Sequence, residues 1–322
     1  MAGFRPYDGR DTPGVAGGGG GAGPRAIGTP DPMDNNFVWV SGRRYFAHAP
    51  YLLPMDDMEF TRQDFEHHLL RQALKSNVLA PIGQPQAILD VGIGTGRWAL
   101  EVATQFPSAR VCGFDLTAPP NLQSTAQELR TMSGDQTKSP MANFWFVAGN
   151  ILTALPFADG TFDYVHMRFL SAGIPLAQWR HVMFELARVT RRGGWIEVVD
   201  TSWTPLHGGP ATEQVFHWAR IAGMVHDVNL QIAAWIGSLF LDSGLGNVTA
   251  PKLQLPMGQG GGRVGSMVAA NAIAVAEAIR PWIIGYGIAT ESAYTNALEG
   301  VRAEVIQGTC TYPLFVSYGQ RL

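Results

Sequence analysis

Two aspartates and three glycines carry the most specific chemistry in this chain. Between Ala87 and Leu116 (AILDVGIGTGRWALEVATQFPSARVCGFDL) an apolar run ends in Asp90, and Gly92, Gly94 and Gly96 follow in a tight turn. Apolar residues then recur at helical spacing, at Trp98, Leu100, Val102, Ala103 and Phe106. A second apolar run, Val111 to Phe114, ends in Asp115. The pattern predicts strand, turn, helix, strand, the first half of a nucleotide-binding βαβ unit. Glycines let the turn approach a ligand where a Cβ would clash, and the helix start behind it offers unpaired N–H groups. Asp115, 19 positions after Gly96, is placed to accept hydrogen bonds from both hydroxyls of a ribose.

Spacing narrows the nucleotide. A dinucleotide turn reads G-x-G-x-x-G/A; counted from Gly92, its last position falls on Arg97, too bulky for close helix–strand packing. Asp90 would repel a pyrophosphate and suits a ligand with an ammonium group. In this D-x-G-x-G-x-G spacing the stretch resembles the class I S-adenosylmethionine (SAM) methyltransferases. The resemblance implies SAM as cofactor, with the glycine turn against its methionine part and Asp115 on its ribose.

These residues need elements to hold them. Residues 1–36 read as a disordered tail, with five glycines from Gly17 to Gly21 among prolines, too apolar-poor to offset ordering entropy. Residues 37–86 read as a lid segment, aromatic-rich through Tyr51 and helical from about Glu59 to Asn77. Residues 87–322 form the expected main domain. Helices are predicted over Asn121–Met132, Leu176–Thr190, Glu213–Val225, Ile232–Ser243, Val264–Tyr286 and Ser292–Ile306, and a polar loop over Ser133–Pro140. Strands are predicted over Asn143–Val147, Phe162–Met167, Trp195–Val199, Asn247–Leu255 and Thr311–Gln320. Arg191 to Gly194 reads as a turn, and Gly258 to Gly262 as a mobile glycine loop. Pro313 asks for a strand start or an edge.

Two further stretches narrow the resemblance. YLLPMDDMEFTRQDFEHHL supplies Tyr51, Pro54, Asp56, Glu59, Arg62, Asp64 and His67, and FDYVHMR supplies His166 and Arg168. Both are similar to patterns in the LaeA-like methyltransferases, with departures at Met55 and Asp57. The resemblance implies an α/β fold: a Rossmann-like seven-stranded sheet, its last strand antiparallel, with an N-terminal helical lid. Helical insertions at about 205–230 and 259–308 would form a substrate cap. The cofactor set expected is Asp90, Gly92, Gly94, Gly96, Asp115, Leu116, Asn150 (to the adenine amino group), Ile151 and Met167, with Tyr45 and Arg62 from the lid. His166, at a strand end on the ligand edge of the sheet, and His207, just after the fifth strand, are the candidate bases; His48 is a weaker one. The pocket roof should draw on Trp39, Tyr45, Phe46 and the insertions, and suits a small hydrophobic acceptor, such as a specialised metabolite. A non-catalytic SAM-binding regulator and a SAM-fold enzyme that transfers no methyl group stay open.

Composition excludes other classes. A net charge of −3 with dispersed Lys and Arg disfavours nucleic acid. Apolar content of 46% supports a sizeable core. Cys112 and Cys310 read as reduced core residues of a cytoplasmic protein. MAGFRPYDGR lacks a signal-peptide pattern, and no run is read as long enough to span a membrane. His217 and His226, 9 apart, do not share a helix face, so no metal is expected. The partners expected are a small-molecule substrate and at most a second copy in a homodimer.

Overall fold

In a computed structural model, which describes residues 28–133, 139–307 and 310–322, the aspartate–glycine stretch lies at the centre of an eight-stranded sheet. Its elements are β4 (Ala87–Val91), α2 (Arg97–Gln105) and β5 (Arg110–Asp115). Ile88, Leu89 and Val91 are fully buried, because helices cover both faces of a parallel strand and the sequence is therefore continuously apolar. Ahead of this unit lie a small sheet of β1 (Thr29–Pro30), β2 (Phe37–Val40) and β3 (Arg43–Phe46), then α1 (Asp57–Leu74). After it come α3 (Leu122–Ser133), β6 (Phe144–Ala148), β7 (Phe162–Arg168), α4 (Trp179–Val189) and β8 (Thr190–Thr201). The chain then runs through α5 (Pro210–Val225), α6 (Ile236–Asp242), β9 (Leu245–Thr249), β10 (Lys252–Pro256), α7 (Gly262–Gly285), α8 (Glu291–Gln307) and β11 (Thr311–Arg321).

The sheet order is β10-β11-β8-β7-β4-β5-β6, with β9 also on β11. β4 to β8 pair in parallel, and β11 is antiparallel to β8, β9 and β10. This is the Rossmann-like arrangement of class I methyltransferases. The count is eight because the single strand expected over 247–255 is two. Pro251, which cannot donate to a ladder, separates β9 from β10, and each pairs with its own half of β11. Pro313 sits inside β11 but just beyond its pairing with β8, which begins at Leu314, so its missing N–H costs that ladder nothing. The turn expected at Arg191 to Gly194 is absorbed into β8 as an irregularity in its pairing with β7.

Of the tail expected over 1–36, residues 1–27 lie outside the described residues, as do 134–138 of the loop expected over 133–140. Residues 28–36 are not a tail. Thr29 and Pro30 pair with Trp39 and Val38, and buried Asp31 takes an ion pair from Arg44 at 2.7 Å.

The N-terminal hairpin, α1, α5, α7 and α8 share one apolar cluster that forms a second layer. Here α7 is central. Gln259–Gly285 has the length and mean hydropathy (1.4) of a membrane-spanning segment, contrary to the sequence reading. The fold uses it as a core helix, 61% buried in that window. The loop before it is held, not free. Gly258 N–H donates to the Gly265 carbonyl at 2.9 Å. A Cβ on Gly258 would lie 2.0 Å from the Val305 carbonyl oxygen, at a φ of +122°. That region is open essentially to glycine alone and costs other residues about 1–3 kcal/mol. Gly258→Ala is therefore expected to lower unfolding free energy by at least about 2 kcal/mol, strain and backbone clash together. Urea denaturation checks this; an unchanged midpoint would mean that the loop yields.

Candidate active site

The carboxyl ends of β4, β5, β6 and β7 open onto a solvent-connected cavity that the glycine turn and the lid also line. The glycine turn reaches it through Gly92 and Gly94, both at positive φ. A Cβ on Gly94 would lie 2.7 Å from Gln63 Oε1, the movable end of a side chain, so turn and lid helix meet closely here, and it is the φ of +55° that favours glycine. Asp115 lines the cavity from the end of β5, and Leu116, Asn150 and Ile151 line the same side.

Asp115 is prepared as an acceptor. Its Oδ2 takes the Gly94 N–H at 3.0 Å and its Oδ1 the Leu116 N–H at 2.7 Å, leaving lone pairs on both oxygens. Burial pushes its carboxyl up to about 6 against those hydrogen bonds, so it gains from further donors. Asn150 Oδ1 takes the Leu152 N–H at 2.9 Å and keeps a second lone pair, with its NH2, for a ligand. Arg168, the last residue of β7, lines the cavity as well. Its nearest polar contact is His67 Nδ1 at 3.5 Å, and among the described residues no carboxylate is within ion-pair distance. Burial lowers its pKa. A guanidinium in this state fits a ligand carboxylate. Diol acceptor, glycine cradle, adenine-side amide and unpaired guanidinium together fit SAM.

Several expected site residues lie elsewhere. Asp90 is 3% exposed and does not reach the cavity. Its Oδ1 bonds His166 Nδ1 at 2.8 Å across the β4–β7 register. The His166 ring stacks on Trp98, centroids 3.7 Å apart, and is 2% exposed, so it is not a base at this cavity. Strand alternation explains this: His166 and Arg168 share a face of β7, the arginine reaches the rim, and the histidine lies about 6.5 Å deeper. Met167, on the opposite face, is fully buried. Gly96 caps α2, with its N–H on the Ile93 carbonyl at 3.0 Å, and does not line the cavity. Tyr45 is fully buried and donates to the Ala278 carbonyl at 2.6 Å, while the next residue, Phe46, lines the cavity. His207 is exposed, at a φ of +58°, outside the cavity. His48 is exposed too, as is Trp39.

The lid residues do more than decorate a helix surface. Asp56 caps α1 through the Glu59 N–H at 3.0 Å and pairs with Arg43 at 2.6 Å. Asp64 accepts from Thr95 Oγ1 in the glycine turn at 2.6 Å and pairs with Arg97 at 3.2 Å. His67 contacts Glu101 on α2 at 2.9 Å. Arg62 lines the cavity, but its guanidinium is taken by Glu59 (2.8 Å), Glu66 (3.0 Å) and Asn271 of α7 (2.7 Å). The lid helix is thus bolted to the turn by polar contacts on one side and to the cap on the other. Sequence reading missed Tyr51 and Gln63 as cavity residues. Tyr51 had a signal, since it stands in the lid motif; its ring packs where a Cβ on Gly173 would be, 2.7 Å away.

Comparison with known proteins agrees with this geometry. Residues 88–194 match the family model described as "Methyltransferase domain". Methyltransferase str3 of Strobilurus tenacellus is 29% identical over 66% of this chain and 72% of its own length. Methyltransferase str2 of the same organism is 28% identical over 50% of this chain and 52% of its own. Protein-methionine methyltransferase laeA of Emericella nidulans is 32% identical over 53% of this chain and 42% of its own. The chain thus spans about half or less of the last two. Residues 88–194 thus match a methyltransferase domain, and the glycine turn beside Asp115, on a sheet of this order, makes the chain similar to the class I SAM-dependent methyltransferases, the str-type and LaeA-like proteins among them.

Proposed function

We propose that the chain transfers the methyl group of SAM to a small, predominantly apolar acceptor of specialised metabolism, in the cytoplasm. The observation that carries this is the cavity wall facing the cofactor residues. It is built by Phe46, Pro50, Tyr51, Leu53 and Phe60, an apolar surface supplied by the lid. Bound SAM supplies an electrophilic methyl group on a sulfonium. The protein supplies position. Asp115 and Asn150 hold the adenosine part of the cofactor, the glycine turn and Arg168 its methionine part, and the lid excludes water from the methyl group. Holding the nucleophile in line at about 3–3.5 Å can account for much of the acceleration. The cytoplasmic reading is supported by two buried, unpaired cysteines. The name of the Emericella nidulans relative raises a peptide acceptor as second reading.

Incubation with SAM and a panel of hydrophobic small molecules and peptides, read by mass spectrometry, decides between them. A gain of one methyl group on small molecules is the expected result. Gain confined to peptides overturns the acceptor class, and binding of SAM with no methyl gain on any compound overturns transfer.

A further inference from the structure

The amino-acid end of SAM carries an ammonium group that needs an acceptor near the glycine turn. Asp90, which the spacing offered for it, is occupied by His166 and does not reach the cavity. The polar side chain that stands at the turn instead is Gln63, on the lid helix α1. It lines the cavity, and its Oε1 lies 2.7 Å from the position a Cβ would take on Gly94.

The carboxamide has a definite sense. Its Nε2 donates to Glu59 Oε1 at 3.4 Å. A carboxylate can only accept, so the nitrogen turns to Glu59 and the oxygen to the turn. Among the described residues no N–H or O–H donates to that oxygen, which keeps its lone pairs for a ligand. The charges beside it favour a cation. Arg62 is shared by Glu59 and Glu66, and Arg97 by Asp64 and Glu128, so carboxylates exceed guanidinium groups along this stretch.

Helical spacing ties the oxygen to Arg168. His67 follows Gln63 by one turn of α1, so the two side chains are neighbours, about 5–6 Å apart at their Cβ atoms. His67 Nδ1 is 3.5 Å from the Arg168 guanidinium. The lid helix thus brings an open carbonyl oxygen to the turn and, one turn further on, meets a guanidinium with no carboxylate of its own. An α-amino acid group, whose ammonium and carboxylate share one carbon, fits between such a pair.

We propose that Gln63 accepts the α-ammonium of the cofactor, the role Asp90 cannot take, and that the lid recognises the amino-acid end as a zwitterion held between Gln63 and Arg168. The proposal deepens the cofactor reading above and rests on it. The cofactor then holds α1 against the glycine turn through its own amine.

The test is calorimetry on the full chain at neutral pH with two probes, S-adenosylhomocysteine and its analogue in which hydrogen replaces the α-amine. The unaltered chain should prefer S-adenosylhomocysteine by about tenfold or more, a step of 1.4 kcal/mol. Gln63→Leu, of similar volume, should weaken S-adenosylhomocysteine by about tenfold and leave the amine-free analogue within about twofold. The analogue thereby also reports that fold and lid are intact. Gln63→Lys sets a cation against the ammonium and should abolish the preference. Equal affinity of the unaltered chain for both probes, Gln63→Leu weakening both alike or neither, or a preference kept in Gln63→Lys each overturns the proposal and leaves the cofactor reading standing. An unaltered chain that does not bind S-adenosylhomocysteine at all overturns both.

Discussion

Arg62→Met is expected to lower the free energy of unfolding by about 3–5 kcal/mol, the usual cost of leaving a buried charge without its partner. Arg62 is 9% exposed and Glu59 1%. The guanidinium makes paired hydrogen bonds to Glu59, at 2.8 and 2.9 Å, two to Glu66, at 3.0 and 3.4 Å, and one to Asn271. Methionine fills a similar volume but leaves Glu59 ionised among apolar side chains. At about 2–4 °C per kcal/mol for a chain of this order of size, the melting temperature should fall by on the order of 10 °C. The pH dependence has a definite sign. Burial already pushes the Glu59 carboxyl above its ordinary value, and without the arginine only the long Gln63 hydrogen bond, at 3.4 Å, opposes it. A carboxyl raised in the folded state costs stability above its folded pKa, and that cost disappears as pH falls toward its unfolded value. The variant should therefore recover stability, relative to wild type, as pH is lowered, and adding Glu59→Gln should restore part of the loss at pH 7. A loss below about 1 kcal/mol would show that the cluster is worth no more than an exposed pair.

Asp115→Ala is expected to weaken SAM and S-adenosylhomocysteine by about a hundredfold or more, since hydrogen bonds to a charged acceptor contribute roughly 1.5–3 kcal/mol each. The two cavity-facing lone pairs match the two hydroxyls of a ribose. Asp115→Asn should lose less, because it keeps an acceptor for the Gly94 or Leu116 N–H. Donors favour the ionised form, so ligand binding lowers a pKa that stands at about 6 in the free protein. Wild-type affinity should therefore rise with pH through about 6 and then level, and Asp115→Ala should be flat over that range. Calorimetry across pH 5 to 8 measures both effects. An affinity within threefold of wild type would remove Asp115 from the ribose.

How far the site could be read in advance differs residue by residue. Gly92, Gly94 and Asp115 line the cavity as their spacing suggests, and Asn150 and Ile151 as the family resemblance implies, because each sits within a few residues of a strand end. Local sequence fixes such a position, and an open α/β sheet binds its ligand at that edge. Asp90 and His166 were open to misreading for the same reason. Both belong to strands at that edge, but each is one step too deep, and only the register Asp90↔His166 shows that they satisfy each other. In the hairpin, alternation sends Tyr45 inward and Phe46 toward the cavity. Aromatic content alone leaves that phase undetermined.

The sequence by itself determined the fold class, from periods of two and 3.6, and through its resemblance to the class I methyltransferases the cofactor; it also placed the glycine turn and Asp115 at the ligand edge of the sheet. All of these are short-range properties. The tertiary structure alone decided what Arg62 and Asp64 do, and that Gln63 stands at the glycine turn. Arg62 meets Asn271 across 209 positions, and Asp64 meets Thr95 across 31. Contacts of that separation exist only once the lid, the cap and the sheet have closed on one another, which is why they are absent from any local pattern.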